Sequence, residues 1–395
     1  MVIYFVRKEI FMKYIAHLFA LGHLAVDSAQ GAIPALIPYF MTHYGLSYKD
    51  AGALVFANLL IASVLQPILG FYADKVSKPW LAPLGCLMGG VAITSLGFTS
   101  SYWTVILAVV ASGMGSAIFH PEAALMVNKL TRKKKGKAMG TFSVGGNAGF
   151  AVGPMVAGAC AYKFGIEYLT IFGLFSLIVA LGIFTQMPRL LREAKSMDDE
   201  GKASGQEEKK NDWHSFGKLS VLILVRSAGF TLCNTFLPLL WIHVLGTSKA
   251  EGAGALTILF TIGAFLTYFG GIFSDKFGFI KVIRISFFFM VPAFFILTHT
   301  DNVLLATILL LPAAISLFAP YSPIVVLGQQ YLGKNAGFAA GVTLGLSTSI
   351  GGLFAPLIGW AADQWGLQLA LQVLWVAGFI GFAVTFTLPE TKGEA

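Results

Sequence analysis

The chain is 395 residues long, 56% hydrophobic and only 12% charged, with a mean hydropathy of +0.76. A soluble domain carries about 25% charged residues, so this composition excludes an ordinary soluble protein and is that of a polytopic α-helical membrane protein. The formal net charge of +8 reads as loop topology rather than as a nucleic-acid surface.

Arg7, Lys8 and Lys13 precede an apolar stretch that is too long for a signal peptide and carries His17, His23 and Asp27; it reads as a retained first span. Apolar runs of about 20 residues, enough for roughly 30 Å of hydrocarbon, then recur along the chain. The expected spans are 14–40, 50–73, 79–99, 102–127, 138–161 and 166–187, followed by 218–245, 252–273, 282–299, 303–330, 336–360 and 367–388. Between them, 188–217 mixes Lys, Arg, Glu and Asp with Gly and Ser and reads as a largely disordered cytoplasmic linker, with a short amphipathic helix near Trp213. The expected organisation is therefore an N-terminal six-helix bundle over 1–187, the linker over 188–217 and a C-terminal six-helix bundle over 218–395. Of the 27 basic residues, Lys49, Lys163 and Lys249 fall in loops on one side, Arg226 falls deep inside a span, and the rest, with Lys218 and Arg284 at span ends, fall on the other side. That bias places both termini in the cytoplasm. Cys86, Cys160 and Cys233 all lie in spans and make neither a disulfide framework nor a zinc spacing.

The two halves repeat. Gly70-x3-Asp74-Lys75 returns as Gly271-x3-Asp275-Lys276, an offset of 201; Pro121, Gly149 and Pro154 return as Pro323, Gly351 and Pro356 at 202. Each half has an even number of spans, so the repeats are parallel, which is the arrangement of rocking transporters. Asp74 and Asp275 end a helix, where a carboxylate faces the helix's own negative pole and needs an outside partner.

Few ionisable residues lie within spans, where each is costly unless paired or hydrated. Asp27 has His23 four residues before and Gln30 three residues after, all on one face. His120 and Glu122 flank Pro121, whose missing N–H leaves a carbonyl open and makes room for a polar pocket. The matching Tyr321-Ser322-Pro323-Ile324 keeps the proline and lacks the acid and imidazole, which confines proton handling to the N-terminal half. Proton coupling is accordingly expected of Asp27, Glu122, His120 and His23, and substrate contact of Arg226, Gln30, His120 and Glu122. Three readings stay open for Arg226: an anion ligand, a counter-ion for Asp27 or Glu122, or a side chain reaching for the interface. His243 reads as interfacial. Gly149, Gly153, Pro154 and Gly158, with Gly351 and Pro356, form a small-residue packing motif bent by proline.

Those motifs, with the basic run Arg132-Lys133-Lys134-Lys135, resemble the major facilitator superfamily of secondary transporters over essentially the whole chain. Asp27-Ser28-Ala29-Gln30-Gly31 and Gly115-Ser116-Ala117-Ile118-Phe119-His120-Pro121-Glu122 resemble its fosmidomycin-resistance branch of drug:proton antiporters. The resemblance implies an all-α membrane fold of twelve transmembrane helices in two parallel-repeat six-helix bundles. It also implies proton-coupled efflux of a small amphipathic or anionic compound by alternating access. Gly70, Asp74, Lys75, Gly271, Asp275 and Lys276 would then form a cytoplasmic gate. The alternatives are transport of a natural carboxylate or siderophore-like metabolite, and a non-transporting membrane receptor. No phosphate-binding glycine loop, catalytic triad or metal cluster is legible, so the expectation is a non-enzyme without cofactor or metal, driven by a proton gradient. It would work as a monomer in the inner membrane, in contact with lipid, protons and a small molecule.

Overall fold

In a computed structural model the backbone is described for residues 2–46, 48–75, 78–131, 134–203 and 210–390. Side chains are described there except at 2–13, 38, 48–49, 51–52, 55, 59, 197–203, 249–250, 253 and 346–354. Arg132, Lys133 and the Val76-Ser77 end of the first turn lie outside the described residues.

Helix dominates because apolar runs in hydrocarbon must satisfy every backbone group internally. The helices are α1 (Val2–Tyr44), α2 (Tyr48–Lys75), α3 (Leu81–Leu96), α4 (Tyr102–Leu130), α5 (Lys135–Phe164) and α6 (Thr170–Ala203). They continue with α7 (Trp213–Val244), α8 (Lys249–Phe277), α9 (Phe279–Leu297), α10 (Val303–Tyr331), α11 (336–365) and α12 (Leu367–Thr385). Nine of these stretches are, among the described residues, long and apolar enough to cross a membrane. The one β pairing among the described residues is a single bridge between Asn211 and Leu332.

The segment 188–203 corrects the expectation of disorder, since α6 runs on through Pro188 to Ala203. Met187, Leu190 and Ala194 are buried at three- and four-residue spacing, so this stretch carries an amphipathic stripe that its high charge disguises. Trp213 is the first residue of α7 rather than part of a short separate helix among the described residues. Asp212 accepts hydrogen bonds from the N–H and hydroxyl of Ser215 and starts α7 there.

By packing, the chain divides into two units, each with a short piece from the other half of the sequence. The first is Met1–Arg132, Thr141–Lys210 and Gly333–Gly345; the second is Lys133–Gly140, Asn211–Leu332 and Leu346–Ala395. Within the first, α4 touches α1, α2 and α3, and α3 touches α6. Within the second, α9 packs on α10 and α12, and α7 on α8 and α12. One difference between the repeats is visible in the helices that carry the matched prolines. Helix α4 passes through Pro121 without a break, whereas α10 breaks at Ala319-Pro320 and restarts at Tyr321, two residues before Pro323.

Candidate functional site

In the first unit α5 lies backbone to backbone against α1. A Cβ on Gly145 would strike Ala20 O, one on Gly149 would sit 2.6 Å from Leu24 O, and one on Gly153 would strike Ser28 O. Small residues every fourth position are what permit that approach. Gly158, at the far end of the same stripe, has nothing within 4 Å and takes no part in the close packing. Gly351 lies outside the residues whose surroundings are described, and Pro356 is exposed.

Beside the α1–α5 seam, His23 and Asp27 of α1 meet His120 of α4, all three buried. Asp27 Oδ2 is 3.1 Å from His23 Nε2, and Asp27 Oδ1 is 3.1 Å from His120 Nε2. The two imidazoles meet edge to face at 4.8 Å, and the Phe142 ring stacks on His23 at 4.1 Å. Gly146 backs the pair: a Cβ there would lie 2.6 Å from Asp27 Oδ2 and collide with His23 Nε2.

The second nitrogen of each ring decides where protons sit. His23 Nδ1 lies 2.8 Å from Phe142 O, which only accepts, so Nδ1 carries a hydrogen. In a neutral ring Nε2 is then a lone pair facing a carboxylate lone pair at 3.1 Å. That contact is a hydrogen bond only when an additional proton lies in it, on the ring or on the carboxyl. His120 is less constrained. Its Nδ1 lies 2.9 Å from Ser116 O, 3.1 Å from Ser116 Oγ and 3.5 Å from Gln66 Nε2, so it can donate to the carbonyl or accept from the hydroxyl and the amide. In the accepting form a neutral His120 donates Nε2–H to Asp27 without any extra proton. With the additional proton the cluster is neutral; without it the cluster holds a buried negative charge. The ligating atoms of these residues lie within 4.8 Å of one another, which raises a metal as an alternative. The two rings take different oxygens of the carboxylate, each at a hydrogen-bonding distance.

Gln30 and Glu122 do not join this cluster. Gln30 Nε2 donates to Ser112 O at 3.1 Å and ties α1 to α4; Glu122 is buried two residues past His120, on another face of α4. His243 is exposed at the end of α7. Gln66 was not singled out by the sequence reading. Buried on α2, it reaches His120 and also packs on α11, where a Cβ on Gly341 would strike its backbone carbonyl and one on Gly345 its side-chain Oε1.

The two Asp-Lys turns make matching contacts. Asp74 Oδ1 and Oδ2 accept from the N–H groups of Gly337 and Phe338 at 2.6 and 2.9 Å, at the N-terminus of α11. Asp275 Oδ1 and Oδ2 accept from Gly136 and Lys137 at 2.8 and 2.7 Å, at the N-terminus of α5. A carboxylate that sits badly at the end of its own helix thus gains the positive pole of another. Gly70 lies against Gly337 O and Gly271 against Gly136 O, so any Cβ there would push the partner helix away. Gly136 and Gly337 are themselves 201 residues apart, the same offset as the aspartates. Lys75 lies over the Phe71 ring at 4.4 Å and Lys276 over Phe277 at 5.2 Å.

Among the described residues of the second unit the buried charge is Arg226, whose Nε donates to Leu317 O at 2.8 Å and whose Cζ lies 4.3 Å from the centre of the Tyr321 ring. This corrects the interfacial reading, since the side chain is held in the core and 8% exposed.

A helical repeat of this kind, with ionisable groups held inside its units, is the build of a multi-pass membrane protein. The chain belongs to the Major Facilitator Superfamily, whose sequence profile matches residues 19–356. It is 27% identical over 381 residues to the "Fosmidomycin resistance protein" of Escherichia coli, covering 94% of this chain and 92% of that one. It is 24% identical over 339 residues to the "Probable nitrate transporter NarT" of Staphylococcus epidermidis, covering 84% of each. A solved structure of the proton:xylose symporter XylE superposes over 98% of both chains with a TM-score of 0.75 at 16% identity, a likeness of fold alone.

Proposed function

We propose that the protein is a proton-coupled secondary transporter that exports a small amphipathic or anionic compound of fosmidomycin type by alternating access. It would act in the cytoplasmic membrane with both termini inside the cell. The observation that carries the reading is the His23–Asp27 contact, which is a hydrogen bond only when one extra proton occupies it. A group that is neutral when loaded and anionic when unloaded changes its cost of burial with each proton gained or lost. A conformation that hydrates the cluster releases the proton, and one that dries it holds the proton.

Gln66 gives that event a route to the gate. Its amide can donate to His120 Nδ1 or, turned over, accept from it, and it rests on Gly345 while Asp74 caps the other end of the same α2–α11 seam. The paired aspartate caps serve in this reading as latches on the cytoplasmic side, closed in the state described and broken on opening inward. Export rather than uptake is supported by the relative named for fosmidomycin resistance; the one named for nitrate would put a smaller anion in the same role.

The test is pH-driven flux in proteoliposomes, with fosmidomycin and nitrate as probes. Wild-type protein should move a probe against its gradient when a proton gradient is imposed. Asp27→Asn should lose uphill movement and keep downhill exchange. Uphill movement unaltered by Asp27→Asn would overturn the assignment.

A further inference from the structure

The second unit buries a cation that its own residues do not neutralise. Arg226 has, among the described residues, no carboxylate partner, and Leu317 O takes its Nε–H. A guanidinium offers five N–H donors. One is spent on that carbonyl and one face lies on Tyr321, so the Nη1–Nη2 edge remains as a planar fork held in place. Leaving a charge and its donors unsatisfied at membrane depth costs several kcal/mol. The repeat does not require the residue: the position 202 earlier is Leu24.

Aromatic rings cluster one turn from Arg226 on α7 and next to Leu317 on α10. Phe230, one turn further along α7, meets Phe260 edge to face at 5.4 Å and Phe318 at 5.7 Å, and Phe260 meets Phe318 at 5.7 Å. The Phe318 ring lies so close to Gly263 that a Cβ there would come within 2.6 Å of it, which presses the cluster onto the α8 backbone. Phe230, Phe260 and Tyr321 each keep part of their surface uncovered.

We propose that Arg226, Tyr321 and the Phe230–Phe260 wall form a binding site for an oxyanion attached to a short apolar body, a carboxylate or phosphonate rather than a sugar or a cation. The fork takes two oxygens in parallel N–H···O bonds, the pairing that a point-charge ammonium does not reproduce. Tyr321 holds the guanidinium plane, and the phenylalanine rings take the apolar part. The inference deepens the transport reading by naming the substrate's charge, and it is measurable without transport.

The experiment is equilibrium binding to the full-length protein in detergent at fixed pH and ionic strength. The probes are phenylphosphonate, benzoate and nitrate, with benzamide as the uncharged counterpart of benzoate. Phenylphosphonate and benzoate should bind and raise the melting temperature, benzamide and nitrate more weakly. Arg226→Gln should weaken both aromatic anions by roughly 10- to 100-fold, the scale of losing a charged hydrogen-bonding partner, while benzamide changes little. Arg226→Lys should recover only part of the loss. Because Arg226→Gln could fail to fold, the wild-type protein supplies a second arm: phenylglyoxal labelling of Arg226, followed by peptide mass spectrometry, should be slowed by phenylphosphonate and not by benzamide. Equal binding of benzoate and benzamide by wild-type protein, unchanged anion affinity in Arg226→Gln, or no protection of Arg226 would overturn the site. If Asp27→Asn leaves uphill flux intact while Arg226→Gln loses anion binding, the proton assignment falls and this site stands; the reverse pair of results does the opposite.

Discussion

The two units are built from repeated sequence, yet they bury opposite chemistry. The first encloses His23, Asp27 and His120, two rings on the two oxygens of one carboxylate; the second encloses Arg226, held by a carbonyl and a ring. The contact of each Asp-Lys turn with a helix N-terminus is common to both units, with the same 201-residue spacing between donors as between acceptors. What repeats is therefore the mechanical part, and what diverged is the interior. Pro121 and Pro323 follow the same division, for the proline is kept while His120 and Glu122 become Ser322 and Ile324. A His–Asp–His cluster in one unit and, among the described residues, a cation without a carboxylate partner in the other are what the proposed division of labour between coupling ion and substrate would need.

The sharpest way to break this comparison is to exchange the histidines for groups that cannot titrate. His23 needs the additional proton and His120 does not, because Ser116 Oγ and Gln66 Nε2 can serve as donors to His120 Nδ1. His23→Gln should therefore abolish pH-driven uphill flux as completely as Asp27→Asn. His120→Gln, whose amide can still donate to Asp27, should reduce flux by several-fold only. Equal loss in both variants, measured in the same proteoliposomes, would mean that the two rings share the proton and that the asymmetry drawn from their Nδ1 partners is wrong.

A second comparison sets the α1–α5 seam against the open end of its stripe. Gly149→Ala puts a methyl 2.6 Å from Leu24 O and 2.8 Å from Ser28 N and should cost about 1–3 kcal/mol, the usual penalty of overpacking. Gly158→Ala meets nothing within 4 Å and should leave stability within about 0.5 kcal/mol of wild type, or raise it slightly. Thermal unfolding in detergent distinguishes them. Equal shifts would show that the motif is not read through helix contact.

Much of this was legible in the sequence, and the gaps have physical causes. The spans followed from hydropathy because hydrocarbon leaves a helix little alternative. That Asp74 and Asp275 needed an outside partner followed from their place at a helix end. Their partners did not, because backbone N–H groups carry no residue signature; the spacing of Gly136 and Gly337 was the available signal. The pairing of His23 with Asp27 could be read at i and i+4 on one helix, whereas His120 joining them and Glu122 staying out depends on how α4 is rotated against α1. Gln66 was invisible because a lone glutamine in a span has no periodic or motif signal. The extension of α6 was masked by charge, since the Met187, Leu190 and Ala194 stripe is short beside the lysines and glutamates around it.

The paired aspartate caps, latches in the proposed mechanism, allow a finer comparison, since they are near copies with different surroundings. Asp74→Asn keeps the size of the side chain and removes the charge that faces the α11 N-terminus, as Asp275→Asn does at α5. Each change should slow turnover by a few-fold, consistent with about 0.3–1 kcal/mol for a charge at a helix end, and should leave equilibrium affinity for phenylphosphonate unaltered. If one variant slows turnover and the other does not, the repeat symmetry of the latch is structural only.

The smallest effect concerns Asp212, and it separates two kinds of pH dependence. Hydrogen bonds from the Ser215 hydroxyl and N–H hold its carboxyl below the usual value of 3.8. A carboxyl depressed on folding stabilises the folded state above its unfolded value, and that contribution disappears as pH falls through the folded value. Asp212→Ala should therefore lower stability at neutral pH by about 0.5–1 kcal/mol, near the low end for an N-cap because the group is solvent-exposed. The difference from wild type should shrink as pH falls through the carboxyl's depressed folded-state value. Stability measured against pH reports such caps in the acid range. In the proposed mechanism the pH dependence of flux at fixed stability would report the His23–Asp27 proton, whose removal does not require unfolding. If Asp212→Ala changed the pH profile of flux near neutrality, the start of α7 would be coupled to the proton site, and the division between the two units' interiors would no longer hold.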